Sequence, residues 1–417
     1  MLQTQQHQVN TSMNTSPTKK TVLLRGPLLA HAGYGVHTRQ IARWLFRVAS
    51  EQHDLDITTE PLPWGDTHLL VDPEAEDGLI GQILQASGNK KSFYDVTIQV
   101  QLPNEWNPFL GNFNVGVTAG VETDKCNPAW SDCINRMDMV VVPSTFTKET
   151  FMATGEIKVP VAVIPEAFPD AMQDQNQLIP EDPDLDLGLT TKFNLLVVGQ
   201  LTGTNPENDR KNLPYTLKWI AETFAGNKDI GVIVKTNAGA QTQLDKKNVE
   251  GIFTKLVAEI QPAGVSGPTF YLLHGHMTDE EMNRLYRHKE IAALISLTHG
   301  EGYGLPILEA AACGLPVIAT NWSGHLEFLK HGKFIPVDRM LGEVPASRVD
   351  GQIFLAGMKW ANPVEIDVKR RLRKFYDSSS MPKQWARELA RVIQKEYSFD
   401  AVSRIYSKAL GGVLGSS

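Results

Sequence analysis

Short runs of β-branched and other apolar residues, each closed by turn residues, recur along the chain. In the first half they are Thr21–Leu24, Asp56–Thr59, Val96–Leu102, Asn114–Thr118, Met139–Pro143 and Val161–Pro165. In the second half they are Asn194–Val198, Gly231–Lys235, Thr269–Leu273, Ile291–Leu297, Pro316–Thr320 and Phe334–Val337. Between many of them the apolar positions follow a helical period: Val36–Val48, Ala129–Arg136, Phe146–Thr154, Pro214–Phe224, Asp279–Tyr286 and Leu305–Cys313. Strands alternating with helices build βαβ units and a parallel sheet. Near-continuous apolar strands are those with helices on both faces. The pattern therefore predicts an α/β protein of two Rossmann-like, doubly wound domains that face each other across a cleft.

The two sets of strands are separated by a segment near 166–190. It carries Glu166, Asp170, Asp174, Glu181, Asp182, Asp184 and Asp186, no Lys or Arg, and Pro169, Pro180 and Pro183. Such a composition reads as an exposed linker. Its Asp184-Leu185-Asp186 has the form of an Asp-x-Asp metal motif, but a metal-binding carboxylate pair belongs at a strand end in a cleft, and the linker reading is preferred. After the last strand come three helical patterns, Pro363–Phe375, Pro382–Lys395 and Phe399–Leu410. The expected organisation is a disordered polar tail (1–20), an N-terminal domain (21–170), an acidic linker (171–190), a C-terminal domain (191–380) and C-terminal helices (381–417) returning to the N-terminal domain. Between Lys369 and Lys395 nine Lys or Arg face only Asp377 and Glu388. That stretch is a solvated helix face or a surface for peripheral contact with an anionic partner.

Composition narrows the class. A chain of 417 residues is too long for one hydrophobic core. A net charge of −7 weighs against a nucleic-acid coat or a polybasic membrane protein. Three cysteines cannot form a disulfide framework and suit a reducing compartment. No run of eighteen apolar residues and no secretory h-region is present, so a cytoplasmic protein without transmembrane segments is expected.

The chemistry should lie at strand-to-helix turns, where backbone N–H groups and the helix dipole favour anions. The first strand runs into Gly33-Tyr34-Gly35 and a helix. A dinucleotide fingerprint would need a third glycine where Thr38 stands, so nicotinamide and flavin are not indicated. The stronger signal follows Ile291–Leu297, in Glu301-Gly302-Tyr303-Gly304-Leu305 with Glu309 inside the next helix. Two carboxylates flanking an anion site make poor phosphate ligands. They suit the hydroxyls on either side of a nucleotide-sugar diphosphate.

Glu301-x7-Glu309, followed by Gly314-Leu315-Pro316-Val317, resembles the Glu-x7-Glu signature of family 4 retaining glycosyltransferases of the GT-B fold. The resemblance runs from about Thr21 to Leu410. It implies transfer of a sugar from a nucleoside-diphosphate sugar to an acceptor hydroxyl. It also implies no metal or other cofactor, the nucleotide sugar being a co-substrate. By it, Glu301 contacts the donor sugar, Glu309 the ribose, and Gly302, Tyr303, Gly304 and Leu305 the diphosphate. Lys211 matches the lysine that neutralises the pyrophosphate, with Arg210 beside it, while Gln200 replaces the usual arginine. Gly33, Tyr34 and Gly35 are expected to bind the donor from the opposing glycine-lined wall. Glu122 stands where many members carry a histidine, and would hold a donor hydroxyl or deprotonate the acceptor. The expected catalytic set is Glu122, Lys211 and Glu301.

Weaker candidates are Trp106 for stacking on an acceptor sugar, Lys235 for reaching the nucleotide, and His274 and His276 at the nucleobase wall. The acceptor is expected to be a glycan, with a hydroxymethylated DNA base as the lesser option. A non-catalytic nucleotide-sugar or glycan-binding protein, or a phosphorylase or epimerase on the same fold, is the alternative.

Overall fold

The computed structural model describes residues 19–52, 54–65, 67–173, 185–200, 205–237, 242–261 and 264–415. The tail through residue 18, residues 174–184 with Asp184, and the loop 201–204 lie outside them.

All twelve apolar runs form strands. The first half gives β1 (Lys20–Gly26), β2 (Leu55–Pro61), β3 (Tyr94–Val100), β4 (Gly111–Val117), β5 (Met139–Val142) and β6 (Val161–Val163). The second gives β7 (Phe193–Val198), β8 (Ile230–Thr236), β9 (Thr269–His274), β10 (Ile291–Ser296), β11 (Val317–Thr320) and β12 (Ile335–Val337). They pair in parallel into two six-stranded sheets, ordered β2-β1-β3-β4-β5-β6 and β12-β11-β10-β7-β8-β9. Helices on both faces account for the apolar strands, and every residue of β8 is buried. Each sheet reverses its order once, between β1 and β3 and between β7 and β10. Loops leaving the carboxyl ends diverge there and open a crevice.

Three features depart from the periodicity. The first is an antiparallel pair, β13 (Arg339–Glu343) and β14 (Lys359–Pro363). It falls within the expected C-terminal domain, yet Val344, Phe354, Met358 and Trp360 pack with Trp106, Val121 and Trp130 of the first half. Asp124 and Lys359 exchange hydrogen bonds across this seam, at 2.8 Å (Asp124 N–H to Lys359 O) and 2.7 Å (Lys359 N–H to Asp124 Oδ1). Trp360 of the pair, and Val344, Phe354 and Met358 of the segment joining its strands, find their cover on the first half, so the seam joins the two halves.

The second is the division of 381–417. The helix Ser380–Glu396 buries Leu389 and Ile393 in the second half. The final helix, Phe399–Leu414, returns to bury Phe399, Val402, Tyr406, Leu410 and Leu414 in the first. Each fully buried side chain of that kind contributes roughly 1.5–3 kcal/mol.

The third is the connection itself. Phe168 and Met172 are fully buried in the core of the second half, and Glu166 is only 4% exposed. Charge and proline content mark surface, but apolar anchors override them locally. On the basic stretch, Lys369 pairs with Glu222 and Glu365, and Arg370 and Arg371 with Asp367, so part of its charge is neutralised within the fold. Among the described residues no helix is long and apolar enough to cross a membrane.

Candidate active site

The carboxyl ends of β1, β7 and β10 open into one cavity of about 820 Å³ between the halves. Its cationic wall is built by the segment Asp209–Asn212. Asn212 adopts φ +56°, a left-handed conformation that asparagine tolerates, and caps the helix Leu213–Thr223. Its buried amide donates to the Leu297 carbonyl at 2.9 Å. The Arg210 carbonyl accepts from the His299 N–H at 2.9 Å and the Thr298 hydroxyl at 3.1 Å. Buried Asp209 accepts from the N–H groups of Lys211 (3.1 Å) and Leu213 (2.8 Å). These bonds lock the loop onto the end of β10, so both cations meet Glu301.

Lys211 Nζ donates to Glu301 Oε1 at 2.7 Å, and Arg210 Nη1 lies 3.3 Å from Oε2. Arg210 also donates to the Gly300 carbonyl at 2.6 Å, and its Nη2 lies 3.4 Å from Glu122 Oε1. Glu122 belongs to the first half, so this ion pair spans the cleft. Burial pushes the Glu301 carboxyl up, but Lys211 and then Arg210 outweigh it and hold the group at about 2. Glu301 is therefore an ionised acceptor. Its N–H is fixed by Ser323 Oγ at 2.9 Å.

The glycine turn follows. Gly304 has φ +99° and caps the helix Leu305–Ala312. Among the described residues no protein acceptor takes the N–H groups of Gly302, Tyr303, Gly304 or Leu305, which leaves them available to an anion. The Tyr303 ring is buried in the core, and its hydroxyl donates to the Glu166 carbonyl at 2.8 Å. In the helix, Glu309 accepts from the Tyr286 hydroxyl at 2.9 Å, and burial raises its carboxyl to about 7.

The halves approach closely here, and glycine permits it. A Cβ at Gly300 would lie 2.7 Å from the Glu122 carbonyl oxygen, and one at Gly302 would lie 2.7 Å from that of Ala119. On the opposing wall the Tyr34 hydroxyl is hydrogen-bonded to Thr118 Oγ1 at 2.9 Å and accepts from the Ala119 N–H at 3.1 Å. Trp64 stacks on the Tyr34 ring with centroids 4.6 Å apart.

Every residue expected in the catalytic and donor-binding set lines this cavity except Gly35, whereas the weaker candidates His274, His276 and Trp106 do not. A Cβ at Gly35 would lie 2.0 Å from the Ala30 carbonyl oxygen, so this glycine serves the tight turn behind the wall. Trp106 is 7% exposed and packs over Gly116, which makes it core. Lys235 does line the cavity; its ammonium donates to Asn237 Oδ1 at 2.8 Å and the Gly275 carbonyl at 2.5 Å, and burial lowers it to about 8. Three features escaped the sequence reading: the Trp64 stack, buried Glu166, and the imidazoles of His31 and His68, which gather beside the expected His276. His31 lies 4.5 Å from His276 and 5.5 Å from His68 between ring centroids. The position of Glu166 directly after β6 was the available signal, since ligands gather at strand ends.

Residues 255–346, which contain both glutamates, match the sequence profile of glycosyl transferases group 1. That segment is similar to the group 1 glycosyl transferases, and the chain as a whole has the GT-B fold. Sucrose synthase of Solanum tuberosum is 28% identical over 127 residues, 30% of this chain and 15% of that enzyme's length. Among solved structures, sucrose-phosphate synthase from Thermosynechococcus elongatus superposes with a TM-score of 0.60 at 13% identity, covering 96% of this chain and 100% of that one. Anabaena HepE, in complex with UDP and glucose, gives 0.56 at 13% identity over 94% of this chain and 100% of that one. These structural likenesses establish the shared fold. The group 1 segment carries the glycine turn and both glutamates, whereas Arg210, Lys211 and Glu122 reach the site from outside it.

Proposed function

We propose that the chain is a retaining glycosyltransferase that moves a sugar from a nucleoside-diphosphate sugar to a hydroxyl of an acceptor bound on the N-terminal half. The observation that carries this is the set formed by Lys211, Arg210 and the free N–H groups of Gly302–Leu305, which converge on one cavity containing Glu301 and Glu309. As the bond to the sugar breaks, the nucleoside diphosphate gains negative charge. Fixed cations and a helix N-terminus facing that charge lower the barrier. Glu301, held ionised, accepts from donor-sugar hydroxyls, and Glu309 from the ribose. Retention and the individual residue roles are supported by the resemblance of the Glu-x7-Glu segment to family 4 enzymes. The UDP and glucose bound by HepE make a uridine diphosphate sugar the first donor to try.

Glu122, beside Arg210 on the first half, is positioned to hold a donor hydroxyl or receive the acceptor's proton. Trp64, stacked on Tyr34, lines the same cavity and offers it an aromatic surface, which suits a ring-shaped acceptor such as a glycan. The test is thermal stabilisation by UDP, ADP, GDP and their glucose conjugates, with the Glu309→Ala variant in parallel, followed by diphosphate release with sugar acceptors. One diphosphate series should raise the melting temperature, less so in the variant. Absence of any shift refutes the donor site. A shift without turnover on any acceptor favours a binding protein.

A further inference from the structure

Glu166 follows β6 where the chain leaves the first sheet, and it lines the same cavity as Glu309. The segment is pinned by Gln40, whose side chain donates to the Ala167 carbonyl at 2.8 Å and accepts from its N–H at 2.9 Å. One carboxyl oxygen of Glu166 lies 3.9 Å from His37 Nδ1. The other, Oε2, is buried and has no hydrogen-bond partner among the described residues. A buried polar atom left unpaired is costly, so its retention calls for a missing donor.

The surrounding protein does not supply one. His37 is kept neutral by burial, which lowers it to about 4, and its Nε2 is engaged with the Tyr406 hydroxyl at 3.1 Å. The Tyr303 hydroxyl is spent on the Glu166 backbone carbonyl, and the Tyr34 hydroxyl is engaged by Thr118 and Ala119. Burial first, and then the charge of Glu309, raise the Glu166 carboxyl to about 8, so the two acids sense one another. No cation contributes to that balance. Two carboxyls on one cavity, one from each half, can each accept from a hydroxyl through a carbonyl oxygen even in the neutral form that burial favours.

We propose that Glu166 is a second ligand of the donor's ribose, taking one hydroxyl of the 2′,3′-diol from the first half while Glu309 takes the other from the second. This rests on the nucleotide-sugar reading above. It makes Glu166 a residue that distinguishes ribose from deoxyribose, and it lets the donor tie the two halves together at the point where the chain crosses between them.

The test is calorimetric titration of the full chain with UDP, ADP and GDP, then with the 2′-deoxy and 3′-deoxy forms of the tightest binder. Wild type should prefer the ribonucleotide to each deoxy form by roughly 10–100-fold. Glu166→Ala should bring the preference over one deoxy form close to unity while leaving that form's own affinity unchanged. Glu166→Met, near in size and without a polar atom to strand, should show the same pattern and a raised melting temperature, which guards against a misfolded alanine variant. Equal weakening of ribo and deoxy forms, or unchanged affinities in both variants, overturns the assignment of Glu166 alone. Failure of wild type to bind any diphosphate overturns the nucleotide-sugar reading and this assignment with it.

Discussion

Replacing Lys211 by methionine leaves Glu301 facing Arg210 alone. In the intact site burial pushes the Glu301 carboxyl up, but Lys211 at 2.7 Å and Arg210 at 3.3 Å bring it from 4.5 down to about 2. A contacting opposite charge lowers a carboxyl by about 1–3 units. Loss of Lys211 should therefore raise Glu301 by that amount, which corresponds to about 1.4–4 kcal/mol less support for the carboxylate. Because the folded value lies below the unfolded one, this stabilisation is fully present above pH 4.5 and lost as pH falls through about 2. The methionine variant should accordingly be destabilised at pH 7 and close to wild type near pH 2. Infrared difference titration of the carboxyl band, with Glu301→Gln to assign it, reads the shift directly. Melting temperatures at pH 7 and pH 3 read the stability. An unmoved Glu301 titration, or a stability deficit that stays the same at both pH values, would refute the electrostatic account of this cluster.

Gly302→Ala should force the Ala119 loop away, because the new Cβ would sit 2.7 Å from a backbone oxygen; a strain of about 1–3 kcal/mol should appear as lower stability, and small-angle scattering should show the halves moved apart. The neutral forms of Glu166 and Glu309 support the fold below pH 4.5, and that support is lost as pH rises through about 7 and about 8. The double variant Glu166→Gln/Glu309→Gln should thus melt higher than wild type at pH 8, with a flatter melting profile between pH 5 and 8. Trp360→Ala removes a fully buried ring from the seam between the halves. It should cost about 3–5 kcal/mol by denaturant titration, and hydrogen exchange should rise at β13–β14 and around Trp130.

Much of this protein is local and so was readable from the chain. The strands announced themselves through apolar runs, because helices on both faces bury both sides of each strand. The turn from Glu301 to Leu305 and the position of Glu309 follow from a strand, two glycines and a helix start that lie consecutively in sequence. Lys211 could be placed only by resemblance, since its contact with Glu301 joins residues ninety positions apart. The tertiary structure decided what depends on distant partners. Pairing order set the two switch points that create the crevice. The apolar side chains of 344–360 found their cover on the first half rather than the second. Glu166 and Trp106 show the limit most sharply. An acid in a proline-rich acidic segment proved buried beside the cavity, and a tryptophan after a strand proved to be core. Burial depends on what the rest of the chain packs against a residue, and no local pattern carries that information.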